Sequence, residues 1–216
     1  RTHYWMDARY NKIKHIYTIH NIEYQGKYDY YLLENVFGIS NKYKHDLEYN
    51  NSLNLTKCAI QYSNVFTTVS PSYAEEIKSM DASAGLYYAI QANKHKLLGI
   101  LNGIDNFWSP ESDDIIYKKF SINSIDDKYY NKTELQKELG LPVNLKTPIF
   151  CSVHRMNHQK GYELIFDIAH NILKEDIQLV IVGSGEDRYV NAFNDLEKKY
   201  PTKVKSLAGM HSVEWA

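Results

Sequence analysis

The sequence has few cysteines and no long apolar run, and each absence excludes a class of protein. Its 216 residues include two cysteines, Cys58 and Cys151, which lie far apart and outside any C-x-x-C pattern. This spacing argues against a disulfide framework and favours a reducing compartment, with both thiols expected as small buried apolar side chains. The apolar stretches are too short to cross a bilayer, and no secretory segment is visible. We therefore predict a cytoplasmic protein.

The sequence also lacks an excess of charge of one sign. Its formal net charge is -1, and the basic residues are scattered among acidic ones. That balance gives no electrostatic footprint for a nucleic acid or an anionic membrane, so neither is expected as a partner. With 44% hydrophobic and 24% charged residues, the composition is that of a globular protein with one large or two small domains.

Strand and helix patterns alternate along the chain and predict an α/β fold with parallel sheets. Strands are predicted at 14–19, 65–69, 96–101, 149–153 and 178–182. Helices are predicted from Ser52 to about Tyr62, after Ser70 as cap with Pro71 at its first position, over 161–173 and over 188–199. Gly26 marks a turn, 29–51 reads as short helices and loops, and 107–144 as a polar connection. Ligands of such folds bind at the carboxyl ends of the strands.

The segment 154–161 is the most informative part of the sequence. It lies between a predicted strand and a predicted helix, where backbone N–H groups and the helix dipole favour anions. Arg155 adds a planar fork of donors and Lys160 a compact positive charge, so the loop could hold a diphosphate without a metal. A solvated basic loop is the alternative. His154 and His158 are four residues apart, but no third ligand is apparent, so no metal site is expected.

Three other features have structural as well as functional interpretations. Gly183-Ser184-Gly185 begins like a dinucleotide fingerprint but lacks the third glycine, so a tight turn is preferred to an NAD site. His20 ends a predicted strand and could be a structural histidine. Asn102 and Gly103 could form nothing more than a turn. The residues alone thus indicate two α/β units with a possible phosphate site.

Five segments, taken together and in order, resemble motifs of the bacterial glycogen synthase and plant starch synthase family. They are YTIHNIEYQG at 17–26, TTVSPSYAEEI at 67–77, LGILNGID at 98–105 with WSP at 108–110, RMNHQKG at 155–161 and QLVIVGSGE at 178–186. The fourth motif is shared with other two-domain glycosyltransferases, whereas the first two single out this family. The resemblance runs from about His15 to about Gly209.

The resemblance implies a GT-B fold, with two Rossmann-like domains facing across a cleft and both truncated in this chain. It implies domain boundaries of 1–108 for the C-terminal part of the N-terminal domain, 109–146 for the connection and 147–216 for the first part of the donor-binding domain. The implied activity is a hexosyltransferase that moves glucose from ADP-glucose to the non-reducing end of an α-1,4-glucan, with retention of configuration. Family members need no cofactor or metal.

The same resemblance implies roles for individual residues. Arg155 and Lys160 would hold the donor diphosphate and stabilise the departing nucleotide, which is electrostatic catalysis of leaving-group departure. His20 would lie against the transferred glucose. The implied substrate-binding residues are Asn21, Asn102, Gly103 and Gly161.

The sequence departs from the family pattern at three places. The family's K-T-G-G-L and E-P-C-G-L segments are missing, and residues 210–216 no longer follow the family. Because the chain starts at Arg1, we expect a fragment, a processed product or an incomplete reading frame. A truncated or frameshifted gene would explain all three departures. Because parts of both walls of the cleft are missing, we expect the chain to be inactive or nearly so by itself. The alternatives are a remnant that binds glucan without turnover, or another GT-B enzyme related to sucrose-phosphate synthase or glycogen phosphorylase. An NAD-dependent enzyme is disfavoured by the incomplete glycine fingerprint.

Overall fold

The computed structural model describes residues 7–10 and 12–209, which form two compact units. Among these residues, unit 1 ends at Ile104 and unit 2 begins at Asp105. The expectations about Arg1 and about the tail at 210–216 lie outside the described residues. Across the described part of the chain, no helix combines the length and apolarity needed to span a membrane.

Unit 1 is built on a parallel sheet with a smaller antiparallel sheet beside it. Its elements in chain order are β1 (Ile16–Ile19), β2 (Lys27–Tyr28), α1 (Leu32–Asn35), α2 (Lys44–Leu47), β3 (Glu48–Tyr49), β4 (Ser52–Asn54), α3 (Leu55–Tyr62), β5 (Val65–Thr68), α4 (Pro71–Glu76), α5 (Tyr87–Asn93) and β6 (Leu97–Gly99). The parallel sheet has the order β1-β5-β6, and the antiparallel sheet has the order β2-β4-β3. Ile16 pairs with Val65 and Phe66 pairs with Leu97.

The core of unit 1 lies under the central strand β5. Phe66 is fully buried and packs with Ile60 of α3, Ile77 after α4 and Ile90 of α5. Burial of such side chains contributes about 2 kcal/mol each to folding. A second cluster joins Leu33, Leu47 and Leu53 beside the antiparallel sheet.

Unit 2 has a three-stranded parallel sheet covered by helices on both faces. Its elements are α6 (Asp127–Glu138), β7 (Ile149–Val153), α7 (Tyr162–Ile172), β8 (Gln178–Gly183), α8 (Asp187–Lys199) and β9 (Val204–Ala208). The strand order is β7-β8-β9, so β8 is central, and its first five residues are all buried. Alternate residues of β8 point to opposite faces. Ile181 packs with the α7 and α8 side chains, whereas Val180 packs with Leu139 and Leu141.

Most predicted elements are confirmed. The predicted strands at 149–153 and 178–182 correspond to β7 and β8, and the predicted helices at 161–173 and 188–199 correspond to α7 and α8. Ser70 caps α4, with its hydroxyl accepting the Tyr73 N–H at 3.0 Å. Gly26 has φ +61°, as its turn requires.

Two predictions are wrong. The helix predicted from Ser52 begins at Leu55, because Ser52–Asn54 forms β4, and the Asn54 side chain caps the helix by accepting the Lys57 N–H at 2.9 Å. Both cysteines were expected to be buried. Cys151 is exposed, so the expectation is wrong for it, and Cys58 is half-buried, so the expectation holds for it only in part. Cys151 lies on the edge strand β7, next to Phe150, which is also exposed.

Candidate functional site

In unit 2, the loop after β7 lies directly against the turn after β8. The backbone bonds between them run from Met156 N–H to the Ser184 carbonyl and from Glu186 N–H to the Met156 carbonyl, each 2.8 Å. Met156 and Gly185 thereby form a parallel bridge that continues the ladder beyond the two strands. The loop that carries Arg155 and Lys160 is therefore held by the sheet rather than suspended above it.

Gly183, the last residue of β8, and Gly185 in the turn that follows make this close approach possible. A Cβ added at Gly183 would lie 1.9 Å from the His154 carbonyl oxygen, and one at Gly185 would lie 2.1 Å from the Met156 carbonyl oxygen. Gly183 also has φ +147°, which L side chains rarely adopt. The G-x-G pattern thus serves the packing of one protein loop on another, which agrees with the tight turn predicted from the sequence.

Arg155 and Lys160 are both exposed on this loop. Within the described residues, neither side chain has a hydrogen bond or an ion pair. His158–Lys160 forms a single 3-10 turn, and Gly161 follows with φ +68° and starts α7. The two cations therefore lie on the short segment that leads into the amino end of an 11-residue helix. This arrangement suits an anion, because the cations and the helix dipole act in the same direction.

The two helix starts at this edge of the sheet differ in charge. Arg155, His158 and Lys160 precede α7, whose first turn carries the single acid Glu163, whereas Glu186 caps α8 and Asp187 lies in its first turn. Acidic side chains at a helix start occupy the position that favours an anion. The electrostatics therefore favour the start of α7 as the place for a phosphate group.

Charged neighbours that the sequence analysis missed surround the start of α7. Glu163, in the first turn, accepts a hydrogen bond from the Tyr189 hydroxyl, and its carboxylate lies 3.7 Å from Arg188. The Tyr189 contact holds the pKa of Glu163 below its usual range, and burial together with this contact raises the pKa of Tyr189 to about 12. Asn157 has a buried Oδ1 without a partner in the described structure. No sequence signal joins Glu163 to Tyr189, since they are 26 positions apart.

In unit 1, His20, Asn102 and Gly103 share one edge of the parallel sheet. His20 directly follows β1, and Asn102 and Gly103 follow β6 after two residues. The carboxyl ends of parallel strands meet at the same edge of a sheet, so these residues share that edge. All three are exposed. A Cβ at Gly99 would lie 2.3 Å from the Ser70 carbonyl oxygen, so β6 passes close to the start of α4.

The turn after His20 is fixed by its own polar side chains. The Asn21 Oδ1 accepts the Glu23 N–H at 3.0 Å, and the Ile22 N–H donates to the Tyr73 hydroxyl at 3.1 Å. Gln25 is buried, donating to the Ala84 carbonyl at 2.8 Å and accepting from Asn54 at 2.7 Å. The first motif of the sequence thus builds a rigid turn, and His20 stands at its exposed start.

A separate cavity in unit 1 does not coincide with the predicted site. It has a volume of about 680 Å³ and lies between the start of β1, α3 and the segment 39–47. Its lining is mainly apolar and includes none of the predicted site residues. Among the residues that the structure describes, no three His, Cys, Asp or Glu side chains cluster as metal ligands.

Residues 1–92 match the family described as "Starch synthase catalytic domain", and residues 132–210 match "Glycosyl transferases group 1". The glycogen synthase of Clostridium botulinum (strain Alaska E43 / Type E3) is 42% identical over 203 residues, which is 93% of this chain and 42% of that protein. The glycogen synthase of Streptococcus uberis is 40% identical over 207 residues, which is 94% of this chain and 43% of that protein. The chain therefore spans less than half the length of these curated relatives.

A solved structure is similar over nearly the whole chain. It is the catalytic domain of starch synthase IV from Arabidopsis thaliana bound to ADP and acarbose, with a TM-score of 0.85 and 29% sequence identity. The match covers 97% of this chain and 45% of that one. Together with the parallel sheets of both units, it confirms the predicted α/β fold of GT-B type.

Proposed function

We propose that this chain, which is 42% identical to a curated glycogen synthase and similar in structure to a starch synthase, carries part of a glycogen or starch synthase. The reaction is the transfer of glucose from ADP-glucose to the non-reducing end of an α-1,4-glucan, such as glycogen or a maltooligosaccharide, with retention of configuration. The protein acts in the cytoplasm as a hexosyltransferase, without a metal or cofactor. The related starch synthase IV structure, which holds ADP and acarbose, supports a nucleotide donor and a glucan-like acceptor.

Unit 2 binds the donor in this proposal. Arg155 and Lys160 contact the diphosphate, and Gly161 lets the backbone approach it at the start of α7. Both cations stabilise the negative charge that develops on the departing nucleotide, which favours the transition state over the bound substrate. The observation that carries this assignment is that both cations are exposed and unpartnered beside a helix start within the described structure.

Unit 1 contributes the sugar-binding groups in this proposal. His20 contacts the transferred glucose, while Asn21, Asn102 and Gly103 belong to the sugar or acceptor side. The Asn21 side-chain Oδ1 already accepts the Glu23 N–H, so Asn21 acts mainly by fixing the turn that presents His20. We assign 1–108 to the C-terminal part of the N-terminal catalytic domain, 109–146 to the connection and 147–216 to the first part of the donor-binding domain.

Calorimetric titration of the purified chain with ADP-glucose tests the donor site. We expect saturable binding that weakens roughly 30-fold in Arg155→Ala, because a fork of charged hydrogen bonds is lost. Lys174→Ala, which removes an exposed lysine after α7, is the matched control and should bind as the parent does. UDP-glucose and NAD serve as competing ligands. A folded chain that does not bind ADP-glucose, or binds NAD instead, would contradict the proposal.

Turnover is a separate measurement. We expect negligible glucan extension by this polypeptide alone, because its 216 residues contain neither the K-T-G-G-L nor the E-P-C-G-L segment of the family. Electrostatic stabilisation of the transition state depends on a site from which water is excluded, and a cleft that lacks part of its lining excludes water less well. Robust incorporation of labelled glucose into glycogen would overturn that expectation while supporting the assigned reaction.

A further inference from the structure

The first turn of α7 is tied to the first turn of α8 by side chains. The Tyr189 hydroxyl donates to the Glu163 carboxylate, and the Arg188 guanidinium lies 3.7 Å from the same carboxylate. Arg188 also donates from Nε to Glu186 at 2.9 Å and lies 4.4 Å from the centre of the Tyr189 ring. Four side chains from two helices thus form one connected cluster.

Tyr189 is the rigid member of this cluster. It is 2% exposed, and its ring lies parallel to that of Phe166, with 6.3 Å between the ring centres. The Tyr162 ring, next to Gly161, lies 5.6 Å from it. Because its ring is packed on α7, Tyr189 can present its hydroxyl at one place only, and Glu163 is held there.

The cluster and the backbone together tie down both ends of the loop that carries Lys160. On one side, the Glu186 N–H donates to the Met156 carbonyl at 2.8 Å. On the other side, Glu163 is bound by Tyr189 three residues after Lys160. Only the segment 157–162 lies between the two attachments. Within it the Lys160 N–H donates to the Asn157 carbonyl at 3.1 Å, so the backbone at Lys160 is restrained while both attachments hold.

The negative charge of Glu163 allows two explanations of its position beside the proposed anion site to be distinguished. A carboxylate beside an anion site opposes anion binding, so its presence there is not explained by attraction to a phosphate. It is explained by attachment, because Glu163 accepts the hydrogen bond of Tyr189 and forms an ion pair with Arg188. The two explanations predict opposite effects of removing the carboxylate.

We propose that Glu163 and Tyr189 are positioning residues that fix Lys160 and the start of α7 for binding of the donor diphosphate. The inference rests on the proposed function, and neither residue contacts the donor itself. Tyr189 holds Glu163, Glu163 holds the first turn of α7, and that turn sets the position of Lys160.

Titration with ADP by calorimetry tests the proposal in Tyr189→Phe, which removes one hydroxyl and keeps the ring. We expect about tenfold weaker binding, the usual net loss for a hydrogen bond to a charged group. The matched control is Tyr117→Phe, since Tyr117 also donates to a carboxylate of unit 2, that of Glu138 at the end of α6. The control should change ADP binding by less than about twofold. Equal binding by the two variants would overturn the proposal.

Two substitutions of Glu163 separate attachment from charge. Glu163→Ala should weaken ADP binding about tenfold, whereas Glu163→Gln still accepts from Tyr189 and should lose only about threefold. If Glu163 were only a nearby negative charge, both variants would bind ADP more tightly than the parent, and that result refutes the inference.

Hydrogen exchange at the backbone amides of 158–164 supplies a readout that needs no ligand. Exchange should be faster in Tyr189→Phe than in the parent and unchanged in Tyr117→Phe. A parent chain that fails to bind ADP would count against the proposed function alone. In that case unchanged exchange in Tyr189→Phe overturns the positioning role, and faster exchange supports it.

Discussion

The two units use the polar residues of their motifs differently. In unit 1, the polar side chains of the turn after β1 are already hydrogen-bonded within the protein. The Asn21 side chain accepts the Glu23 N–H, and the buried Gln25 side chain is bonded to Ala84 and Asn54. In unit 2, Arg155 and Lys160 have no partner among the described residues. A motif residue can therefore either stabilise the fold or remain unpaired and open to a ligand, and only its contacts in the structure distinguish these two roles. Unit 1 offers a turn fixed by its own hydrogen bonds, whereas unit 2 offers unpaired positive charge.

The largest expected effects come from the glycine that each unit places against a neighbouring loop. Gly183→Ala should lower the free energy of unfolding by about 4 kcal/mol or more, because the new Cβ meets a carbonyl oxygen at 1.9 Å and φ is +147°. Gly99→Ala in unit 1 should cost somewhat less, about 3 kcal/mol, because its φ is not positive. Urea unfolding followed by circular dichroism measures both.

Gly140→Ala is the control for this pair, since Gly140 has φ +65° but no atom within 4 Å of an added Cβ. It should cost about 1 kcal/mol, the strain of the backbone alone. If Gly183→Ala cost no more than this control, the close approach of the two loops would be wrong.

The next largest effects concern a buried amide pair in each unit. In unit 2, Gln178 accepts from Gln136 at 2.8 Å and donates to the Pro142 carbonyl at 2.7 Å. Gln178→Ala should cost about 3 kcal/mol, because it leaves a cavity and unpaired buried groups. Asn54→Ala in unit 1 should cost as much, since it removes both the helix cap and the partner of Gln25.

Ser70→Ala removes a cap without a buried partner and should cost only about 1 kcal/mol. Thermal unfolding ranks the three variants. A loss for Asn54→Ala as small as that for Ser70→Ala would show that the amide pair of unit 1 is not a structural anchor.

A binding comparison tests the division of roles directly. Lys160→Ala should weaken ADP binding about tenfold, whereas His20→Ala should leave ADP binding within about twofold of the parent, because ADP lacks the glucose that His20 is proposed to contact. Calorimetry with ADP measures both variants. Equal losses would mean that the nucleotide contacts both units, and the contrast between them would fail.

The smallest expected effect is the pH dependence of stability that Glu163 of unit 2 contributes. The Tyr189 hydrogen bond lowers the pKa of Glu163 in the folded state below its ordinary value of 4.5. The ionised carboxylate therefore stabilises the fold above pH 4.5, and this contribution is lost as the pH falls through the folded pKa. The difference in melting temperature between the parent and Glu163→Gln should shrink from about pH 6 to about pH 3. Asn21, which fixes the turn of unit 1, has no group that titrates.

The sequence predicted the elements whose pattern is long and regular. The strand before Arg155 and the amphipathic helix after Gly161 follow directly from apolar spacing, and the cap at Ser70 follows from residue chemistry. The antiparallel strands β2, β3 and β4 were missed because two or three residues have no measurable period. Pairing with a neighbour defines them, and that is a tertiary property.

The site was predictable to a smaller extent. The basic residues at 155 and 160 are visible in the sequence, and so is the turn at Gly183. The close packing of Gly183 against the His154 carbonyl could not be predicted, because it requires two segments that are 29 positions apart to meet at one edge of the sheet. Glu163 and Tyr189 were missed for the same reason. The exposure of Cys151 depends on its place in an edge strand, which composition does not show.

The central position of β8 has a consequence for the order of events during synthesis. β8 is buried by residues made before it, Leu139 and Leu141, and by α8 and β9, which are made after it. Unit 2 therefore cannot complete its core until Ala208 has left the ribosome, whereas the last strand of unit 1 ends at Gly99. Domains generally fold as units, with the N-terminal one first. Unit 1 should thus reach its native packing while most of unit 2 is still being translated.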